Sequence, residues 1–452
     1  MRAMGFAINR GGFVEMPSLM TPTMKGSPSG GVALQYIQGP HQEKSRSRWG
    51  LLFAPFAGAS NLNVITVSRE YGAGGGEVAR RLAEGLGWEL LDRELLHQAA
   101  AVEHVPDADL ERLDEKEIRI ADRFRLHPPH ERYIHGVTEA ARRAAARGNV
   151  ILVGRGTRQL LGERAGCFHL RLVAPRDWRV ERMVRLESWT PEQALARCLE
   201  MDGTRERFTR YFFGPAALQS NQYDLVVNTG RVPLDDVVAW VTALVRNEWI
   251  AETVTDFRAR RVLTLARELG AGDTGFAPTL AAKLRLHDHD RDLLEQEAIR
   301  LGVPENELEK IDEQPAGIFQ RLRSASLHQR YFAALGQIMS DLAARGDVLL
   351  VGRAGSRFLR VDLWAFHVRL VAPMTVRLQR VMEHRWLRAE PAQKLIAESD
   401  AQRSRFYQDY FGASWFDPLE YHMTVNSGRL GPLSVDLIAF AAERFWAGAR
   451  RT

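Results

Sequence analysis

The stretch at residues 64–83, VITVSREYGAGGGEVARRLA, constrains the fold more than any other part of the sequence. It begins with an apolar and β-branched run, continues through residues 72–76, which are nearly all glycine, and ends with the apolar spacing of a helix. Glycines let backbone N–H groups approach an anion, and the following helix directs its positive end to the same place. The pattern predicts a strand, a phosphate-binding turn and a helix, with an ordinary strand-to-helix turn as the simpler alternative.

A second copy of this stretch begins at Val262 and reads VLTLARELGAGDTGFAPTLAAKL. Arg69-Glu70 reappears 198 positions later as Arg267-Glu268, and the same offset relates many later residues without a gap. The related pairs include Asp92 and Asp290, Arg155 and Arg353, Asp202 and Asp400, Arg205 and Arg403, and Asn228 and Asn426. Solenoid repeats are only ~20–50 residues long, so each copy is expected to be a domain with its own core.

The duplication divides the chain of 452 residues into three parts. Residues 1–60 are rich in Gly, Ser, Pro and Met without sustained periodicity, and they are expected to form a disordered tail. Residues 61–250 and 258–450 are expected to form the two domains, the second more degenerate than the first. In each, strand-like runs alternate with helical stretches, which is typical of an α/β fold whose mainly parallel sheet is flanked by helices.

Charge and cysteine content indicate a cytoplasmic protein without a membrane or nucleic acid partner. The formal net charge is only +5, from 61 Lys and Arg against 56 Asp and Glu, and no aromatic-and-basic platform is present. Cys167 and Cys198 have no metal or redox spacing, which favours a reducing compartment. No apolar run reaches the ~18 residues that cross a bilayer.

Six motifs occur in the same order in both copies. In the first copy they are SREYGAGGGEVARRLAE from residue 68, Leu91-Asp92, VGRG at 153–156, HLRLVAP at 169–175 with Arg179 and Arg182 after it, D-x-x-R from Asp202 to Arg205, and YDLVVNT at 223–229. Each motif alone is weak, but the ordered set, found twice, resembles the cytidylate kinase-like family, which is related to the nucleoside monophosphate kinases. The resemblance covers nearly everything after the tail.

The resemblance implies two tandem P-loop NTPase-like domains that hold ATP on the glycine loop and a pyrimidine monophosphate opposite, and that use Mg²⁺ in phosphoryl transfer. By this resemblance, the candidate substrate-binding residues are Asp92, Arg155, Asp202, Asp290, Arg353, Asp400 and Arg403. The candidate catalytic residues, at or beside a mobile lid, are Arg179, Arg182, Arg205 and Arg207. The candidate cofactor-binding residues are Arg69, Gly72, Gly74, Gly75, Gly76, Arg267, Gly270, Gly272 and Thr274.

Physical reasoning supports a role for arginines without reference to the family. Phosphoryl transfer needs positioning and positive charge more than covalent chemistry, and the planar guanidinium group suits paired phosphate oxygens. Each helix arginine also has a simpler interpretation as a surface ion pair, which contributes at most ~1 kcal/mol. No residue is assigned as a metal ligand.

The glycine loops depart from the full phosphate-loop motif, which ends in G-K-[ST]. Gly75 and Asp273 stand where that motif has lysine, and Gly76 and Thr274 stand at its hydroxyl position. Asp273 is expected to weaken nucleotide binding in the second copy by repulsion, and Pro278 is expected to break its first helix. Arg69 and Arg267 are the candidates to supply the missing charge.

Three hypotheses follow. The first is a nucleoside monophosphate kinase that acts on CMP or dCMP mainly through the first copy. The second, favoured by the missing lysines, is a tandem pseudokinase that binds nucleotide as a regulatory or scaffold module. The third is a division of labour in which the second copy is structural and packs against the first as in a homodimer. All three expect nucleotide ligands and packing between the two copies.

Overall fold

The computed structural model describes residues 62–92, 129–154, 156–249, 260–289, 325–352 and 354–448. The predicted tail, residues 1–60, lies outside the described residues. We call residues 62–249 the first copy and residues 260–448 the second copy. Within these ranges, no helix is both long enough and apolar enough to cross a membrane.

The described strands form one sheet of ten strands, in the order β2-β3-β1-β4-β5-β10-β9-β6-β8-β7. The strands are β1 (Val64–Arg69), β2 (Glu89–Leu91), β3 (Val150–Val153), β4 (Cys167–Val173), β5 (Leu225–Asn228), β6 (Val262–Arg267), β7 (His287–His289), β8 (Val348–Val351), β9 (Ala365–Val371) and β10 (Met423–Asn426). Within each copy all paired strands are parallel. The predicted α/β class with a mainly parallel sheet is therefore confirmed.

Helices flank the sheet in both copies. Those of the first copy are α1 (Gly75–Leu86), α2 (Pro129–Arg147), α3 (Thr157–Leu161), α4 (Arg176–Glu187), α5 (Pro191–Phe213) and α6 (Leu234–Arg246). Those of the second copy are α7 (Phe276–Leu284), α8 (Ala325–Arg345), α9 (Gly355–Phe358), α10 (Met374–Arg385), α11 (Ala389–Phe411), α12 (Ser427–Leu430) and α13 (Leu433–Gly448). Short 3₁₀ turns occur at Pro215–Leu218, Ser220–Gln222 and Pro418–Glu420.

Local sequence explains where the helices next to the glycine loop and the predicted lid begin. Helix α1 buries Val78, Ala79 and Leu82 against the sheet, as the apolar spacing predicts. Helix α5 begins with a capping box, in which the Thr190 hydroxyl accepts a hydrogen bond from the Gln193 N–H and the Gln193 side chain accepts one from the Thr190 N–H. The start of α5 is thus fixed by a local signal, and the position of α1 by its buried apolar face.

Strands β5 and β10 join the two copies. They pair antiparallel, with Thr424 opposite Val226. Asn228 donates from Nδ2 to the Leu419 carbonyl at 3.1 Å, and its counterpart Asn426 donates from Nδ2 to the Asn221 carbonyl at 2.8 Å. Because the junction is antiparallel and each copy is parallel, the carboxyl ends of β1 and β6 lie at opposite edges of the sheet.

One face of the sheet has a core that both copies share. A single buried cluster contains residues of α1 and α6 from the first copy and of α7 and α13 from the second. Trp240 packs edge-on against Phe366 with ring centroids 6.1 Å apart, and Trp249 does so against Phe440 at 5.9 Å. The opposite face has a separate cluster in each copy. The expectation of an independent core for each copy is therefore wrong on the shared face.

We expect the isolated first copy, residues 61–255, to form a homodimer. Removal of the second copy uncovers the edge of β5 and half of the shared core, and both favour association. In a symmetric pair, Arg231 of each chain would meet Asp224 of the other, as Arg429 meets Asp224 in the full chain. Analytical ultracentrifugation of the fragment measures this, with Asp224→Asn as the variant expected to weaken the dimer. A folded, monomeric fragment would contradict the prediction.

Candidate functional site

The glycine loop of the first copy follows β1 and leads into α1. Gly72 and Gly74 have φ values of +82° and +86°, in the left-handed region that favours glycine. A Cβ on Gly72 would lie 3.1 Å from Cβ of Arg179, and a Cβ on Gly75 would lie 2.7 Å from Cβ of Arg69. The loop therefore needs glycine at these positions, both for its backbone conformation and for its contact with neighbouring side chains.

The amino end of α1 is available to an anion. Gly74 precedes the helix, and no side chain caps it. The first backbone N–H groups of a helix have no carbonyl partner within it and carry its positive dipole end. The aliphatic part of the Arg69 side chain packs over Gly75, the residue that stands at the lysine position of the phosphate-loop motif. This arrangement combines free amides with a nearby guanidinium group.

A cleft of about 350 Å³ lies at the carboxyl edge of the first copy. Its charged lining residues are Arg69, Glu70, Arg171, Asp202, Arg205, Glu206 and Arg210. Arg205 donates from Nη1 to the Arg69 carbonyl at 3.2 Å, and its guanidinium carbon lies 5.6 Å from the centroid of the Tyr71 ring. The structure thus brings Arg205 of the predicted lid together with the end of β1.

Arg179 is buried and is hydrogen-bonded to the backbone at the start of the glycine loop. It donates from Nε to the Ala174 carbonyl and from Nη1 to the Tyr71 carbonyl, both at 3.0 Å, and it pairs with the Asp202 carboxylate. Asp202 in turn accepts from the Tyr71 N–H at 2.8 Å. These bonds tie the start of the loop to α4 and α5, so Arg179 and Asp202 position the loop.

Glu70 completes this network and was missed by the sequence reasoning. Its carboxylate lies 3.5 Å from Arg179 and accepts from the Ala174 N–H at 3.0 Å. Burial raises the pKa of Glu70, while the positive charge of Arg179 acts in the opposite direction. The available signal was the recurrence of the Arg-Glu pair in both copies.

The second copy repeats the network. Arg377 donates to the Leu269 carbonyl and to the Asp400 carboxylate, both at 2.8 Å, and lies 3.5 Å from Glu268. Glu268 also pairs with buried Arg369 at 2.9 Å. Because both copies keep the three charged residues although their loops differ, the network serves the fold of the loop.

The remaining predicted arginines of the first copy lie in different surroundings. Arg182 pairs with Glu77 in the first turn of α1 at 2.6 Å. Arg207 is exposed, contacts the Thr204 hydroxyl at 3.3 Å, and does not line the described cleft. Asp92 is exposed directly after β2 and is likewise outside the cleft lining. The structure therefore brings Arg205, but neither Arg207 nor Asp92, to the cleft.

A cleft of about 230 Å³ lies in the second copy and includes its glycine loop. Its lining residues with charged or hydroxyl side chains include Arg267, Glu268, Asp273, Thr274, Arg380, Arg385, Arg403 and Tyr407. Arg380 donates to the Ala271 carbonyl at 2.8 Å and to the Ser427 hydroxyl at 3.2 Å. Arg403 lies 5.6 Å from the ring centroid of Trp415. Four guanidinium groups thus surround this cleft.

The loop of the second copy is longer than that of the first. Gly270 has a φ of +82°, as Gly72 does at the equivalent position, and a Cβ on it would lie 2.6 Å from the Arg377 carbonyl oxygen. Helix α7 begins at Phe276, three residues later than α1 by the repeat offset. Pro278 lies in its first turn, where no N–H is needed. The expectation that Pro278 breaks the helix is therefore wrong.

Three predicted substrate residues, Arg155, Arg353 and Asp290, lie outside the described residues. Over the part of the chain that the structure describes, no group of three or more His, Cys, Asp or Glu residues is arranged to hold a metal ion. Cys167 and Cys198 are both buried, and burial raises the pKa of Cys167 to about 11. Neither thiol has the character of a nucleophile.

Comparison with known proteins decides the family. The sequence model of the cytidylate kinase-like family matches residues 64–231 and 262–429, which together make up most of the chain. The chain belongs to the cytidylate kinase-like family. The two matched ranges are related by the repeat offset of the sequence, so each copy is a member of the family in its own right.

The individual curated relatives share no more than 30% sequence identity with this chain. Cytidylate kinases of Pyrococcus horikoshii and Haloquadratum walsbyi are 26% and 28% identical, each over 40% of this chain and over 87% and 88% of their own lengths. A uronate isomerase of Corynebacterium glutamicum is 30% identical over 88 residues, which are 20% of this chain and 17% of that protein. Shikimate kinase from Acinetobacter baumannii in complex with shikimate is 18% identical over 42% of this chain and 95% of its own, with a TM-score of 0.26.

We expect Glu70→Gln to change how stability depends on pH. The folded protein binds the Glu70 proton more tightly than the unfolded chain does, because burial raises the pKa. The contribution of Glu70 is therefore present below its ordinary pKa and is lost as the pH rises through the raised value. Urea unfolding midpoints from pH 4 to pH 7 should show the wild type losing stability relative to the variant.

Glu84→Gln, on the exposed surface of α1, is the matched control for this measurement. Parallel pH profiles of the wild type and Glu70→Gln would contradict the prediction.

Proposed function

We propose that the protein is a nucleoside monophosphate kinase that transfers the γ-phosphoryl group of ATP to a pyrimidine monophosphate such as CMP or dCMP, mainly through the first copy. The observation that carries the proposal is the double match to the cytidylate kinase-like family. In the second copy the glycine loop lines the cleft, whereas in the first copy the cleft is lined by Arg69 and Glu70, which directly precede the loop. Relatives described as cytidylate kinases match one copy over most of their length. The proposed ligands are ATP and nucleoside monophosphates, and a cytoplasmic location remains a prediction.

The glycine loop of the first copy, together with the two arginines beside it, suits a polyphosphate group. The uncapped amides of α1 offer hydrogen bonds to phosphate oxygens, and Arg69 and Arg205 meet at the end of β1. A preorganised guanidinium group stabilises the charge of a transferring phosphoryl group, and one such group changes the rate by ~10³–10⁵ in related chemistry. In this proposal, Arg69 replaces the charge of the missing lysine.

Mg²⁺ is compatible with this site although the described residues form no metal cluster. Mg²⁺ keeps several waters and binds largely through substrate phosphates, with one or two protein ligands. When bound, it would neutralise phosphate charge and orient the transferring group. Thr274 offers a hydroxyl for it in the second copy, whereas the first copy has Gly76 at that position.

The loops support the assignment of transfer to the first copy. In the second copy, the carboxylate of Asp273 lines the cleft, and a carboxylate beside phosphates is repulsive unless a cation lies between them. The later start of α7 also moves the helix amides away from the position they have in the first copy. Four arginines in the second cleft nevertheless favour an anion there.

The second candidate function is nucleotide binding without turnover. The absence of the loop lysine from both copies favours it, because that residue contacts the phosphates in the full motif. A nucleotide that binds only the folded protein stabilises it by RT ln(1 + [L]/Kd). This candidate predicts that ATP raises the melting temperature while no monophosphate is converted to its diphosphate.

We expect Arg205→Gln to lower the rate of CMP or dCMP phosphorylation by about a hundredfold or more, because it removes a guanidinium group from the first cleft. The measurement is diphosphate formation from ATP, Mg²⁺ and a panel of monophosphates. Arg403→Gln makes the same change in the second copy and is expected to have a smaller effect. Arg142→Gln, at an exposed arginine paired with Glu139, is the control.

Two outcomes would contradict the proposed activity. If the wild type converts no nucleoside monophosphate, the kinase proposal fails. If Arg403→Gln is the more damaging variant, the second copy carries the activity.

We expect Arg69→Ala to weaken ATP binding about tenfold, since it removes the charge that lies beside the amino end of α1. Calorimetric titration with ATP measures the affinity. Arg80→Ala, on the exposed surface of α1, changes the same charge without approaching the loop and serves as the control. An unchanged affinity in Arg69→Ala would remove this arginine from the nucleotide site.

A further inference from the structure

One arginine of the sheet has different surroundings in the two copies. Arg171 on β4 and Arg369 on β9 are equivalent by the repeat offset. Each lies opposite a residue of the strand that leads into its glycine loop, Arg171 opposite Ser68 and Arg369 opposite Ala266. Because the two positions in the sheet are the same, a difference between the arginines comes from the side chains around them.

Arg369 is enclosed and neutralised in the second copy. It is 2% exposed, and it pairs with Glu268 at 2.9 Å. Its guanidinium carbon lies 4.8 Å from the ring centroid of Trp415 and 5.2 Å from that of Phe416. Arg369 is not part of the described lining of the second cleft. Its charge is therefore used inside the fold and does not reach a ligand.

Arg171 is half-buried and lines the first cleft. Ala217 and Leu218 stand at the positions of Trp415 and Phe416, so the two rings that cover Arg369 have no counterpart here. The smaller side chains leave the guanidinium group of Arg171 open to the cleft.

The guanidinium group of Arg171 is nevertheless held in place. It donates from Nη1 to the Leu218 carbonyl at 2.8 Å, and its central carbon lies 5.3 Å from the ring centroid of Tyr223. Within the described residues this is its one hydrogen bond, and a guanidinium group has five N–H donors. Most of these donors are therefore available to a ligand, and their direction is already fixed.

The charge of Arg171 is not balanced by a direct ion pair with any described residue. Glu70, the counterpart of Glu268, lies 3.5 Å from Arg179 and accepts from the Ala174 N–H at 3.0 Å. Burial raises the pKa of Glu70, and among the charges that lower it Arg179 has a larger effect than Arg171. Arg171 therefore acts on Glu70 from a distance and keeps its own donors for the cleft.

The other carboxylates of the first cleft are taken up by other arginines. Glu206 pairs with Arg210 at 2.8 Å, and Asp202 pairs with Arg179 at 2.5 Å. The cleft volume of about 350 Å³ has room for one small ligand, since such sites occupy ~300–1,000 Å³. The described lining ends at Glu70 and does not include the glycines at 72–76. A ligand in the cleft therefore lies beside the ligand of the glycine loop and is a different molecule.

We propose that Arg171 binds the phosphate group of the acceptor monophosphate in the first copy. Its planar guanidinium group suits paired phosphate oxygens, and it faces the cleft next to the glycine loop. The naming of the ligand as the acceptor rests on the proposed function, whereas the anion site at Arg171 rests on the cleft itself. Arg369 has no such role, because Glu268 and the two rings enclose it.

The test separates the charge of the ligand from the fold of the protein. CMP, dCMP, UMP, AMP and GMP are titrated by calorimetry into the full chain, and the tightest of them is compared with its nucleoside, which lacks the phosphate. Arg171→Gln should weaken the monophosphate at least about tenfold, as expected for a lost charge-assisted contact. It should change the affinities for the nucleoside and for ATP by less than about twofold.

Two further variants control the measurement. Arg171→Lys keeps the charge without the planar fork, so its loss should be smaller than that of Arg171→Gln and again confined to the monophosphate. Should Arg171→Gln fail to fold in a melting experiment, the same comparison of monophosphate with nucleoside is made on Arg171→Lys. Arg142→Gln, at an exposed arginine that is paired with Glu139 at 3.3 Å, should change none of the three affinities.

Equal monophosphate affinity in the wild type and Arg171→Gln would overturn the proposal. So would equal losses for the monophosphate and its nucleoside, which indicate a structural role, or a loss confined to ATP, which places Arg171 in the donor site. Absence of monophosphate binding by the wild type would overturn it as well. Diphosphate formation tests the proposed function separately: selective loss of monophosphate binding in a protein without turnover supports the site at Arg171 and contradicts the kinase activity.

Discussion

The antiparallel pairing of β5 with β10 is the constraint on which the rest of the structure depends. Three residues of each strand pair across it, and Asn228 and Asn426 add a reciprocal pair of side-chain bonds. This contact turns two five-stranded sheets into one sheet and lets Trp240 reach the other copy. It also places the two clefts at opposite edges, so that one substrate cannot bridge both. The two copies therefore stabilise each other through a common sheet and core, but each has its own cleft.

Within each copy, a buried ionic network fixes the glycine loop. In the first copy, Glu70, Arg179 and Asp202 hold the loop to α4 and α5. Removing one member of a buried ion pair leaves an uncompensated charge, so the three residues are retained together. The resemblance implies catalytic and substrate-binding roles for Arg179 and Asp202, whereas in the structure they contact the loop, Glu70 and each other.

The two copies differ in the glycine loop and at the junction, and they agree in the buried ionic network. The networks behind the loops are preserved, but Asp273 and the late start of α7 change the loop of the second copy. At the junction, His422 and Val361 stand at the positions equivalent to Asp224 and Glu163, so the ion pairs of Arg429 have no counterpart at these positions in the other copy. A homodimer has two identical sides at its junction by symmetry. A fused pair does not, because the two sides of its junction can change independently.

The sequence by itself determined the duplication, the strand-glycine-helix unit, the parallel α/β class and the family, because periodicity and motifs within one copy specify local structure. It also indicated Arg205 as a candidate residue, and the structure places Arg205 in the lining of the first cleft. Only the tertiary structure decided that the copies form one sheet, that Arg179 faces Glu70 and Asp202, and that Arg207 points to solvent. These features depend on contacts between distant segments, such as Tyr71 with Asp202 across 131 positions. Such contacts form only when the edge strands and helices close on one another, and no local pattern encodes them.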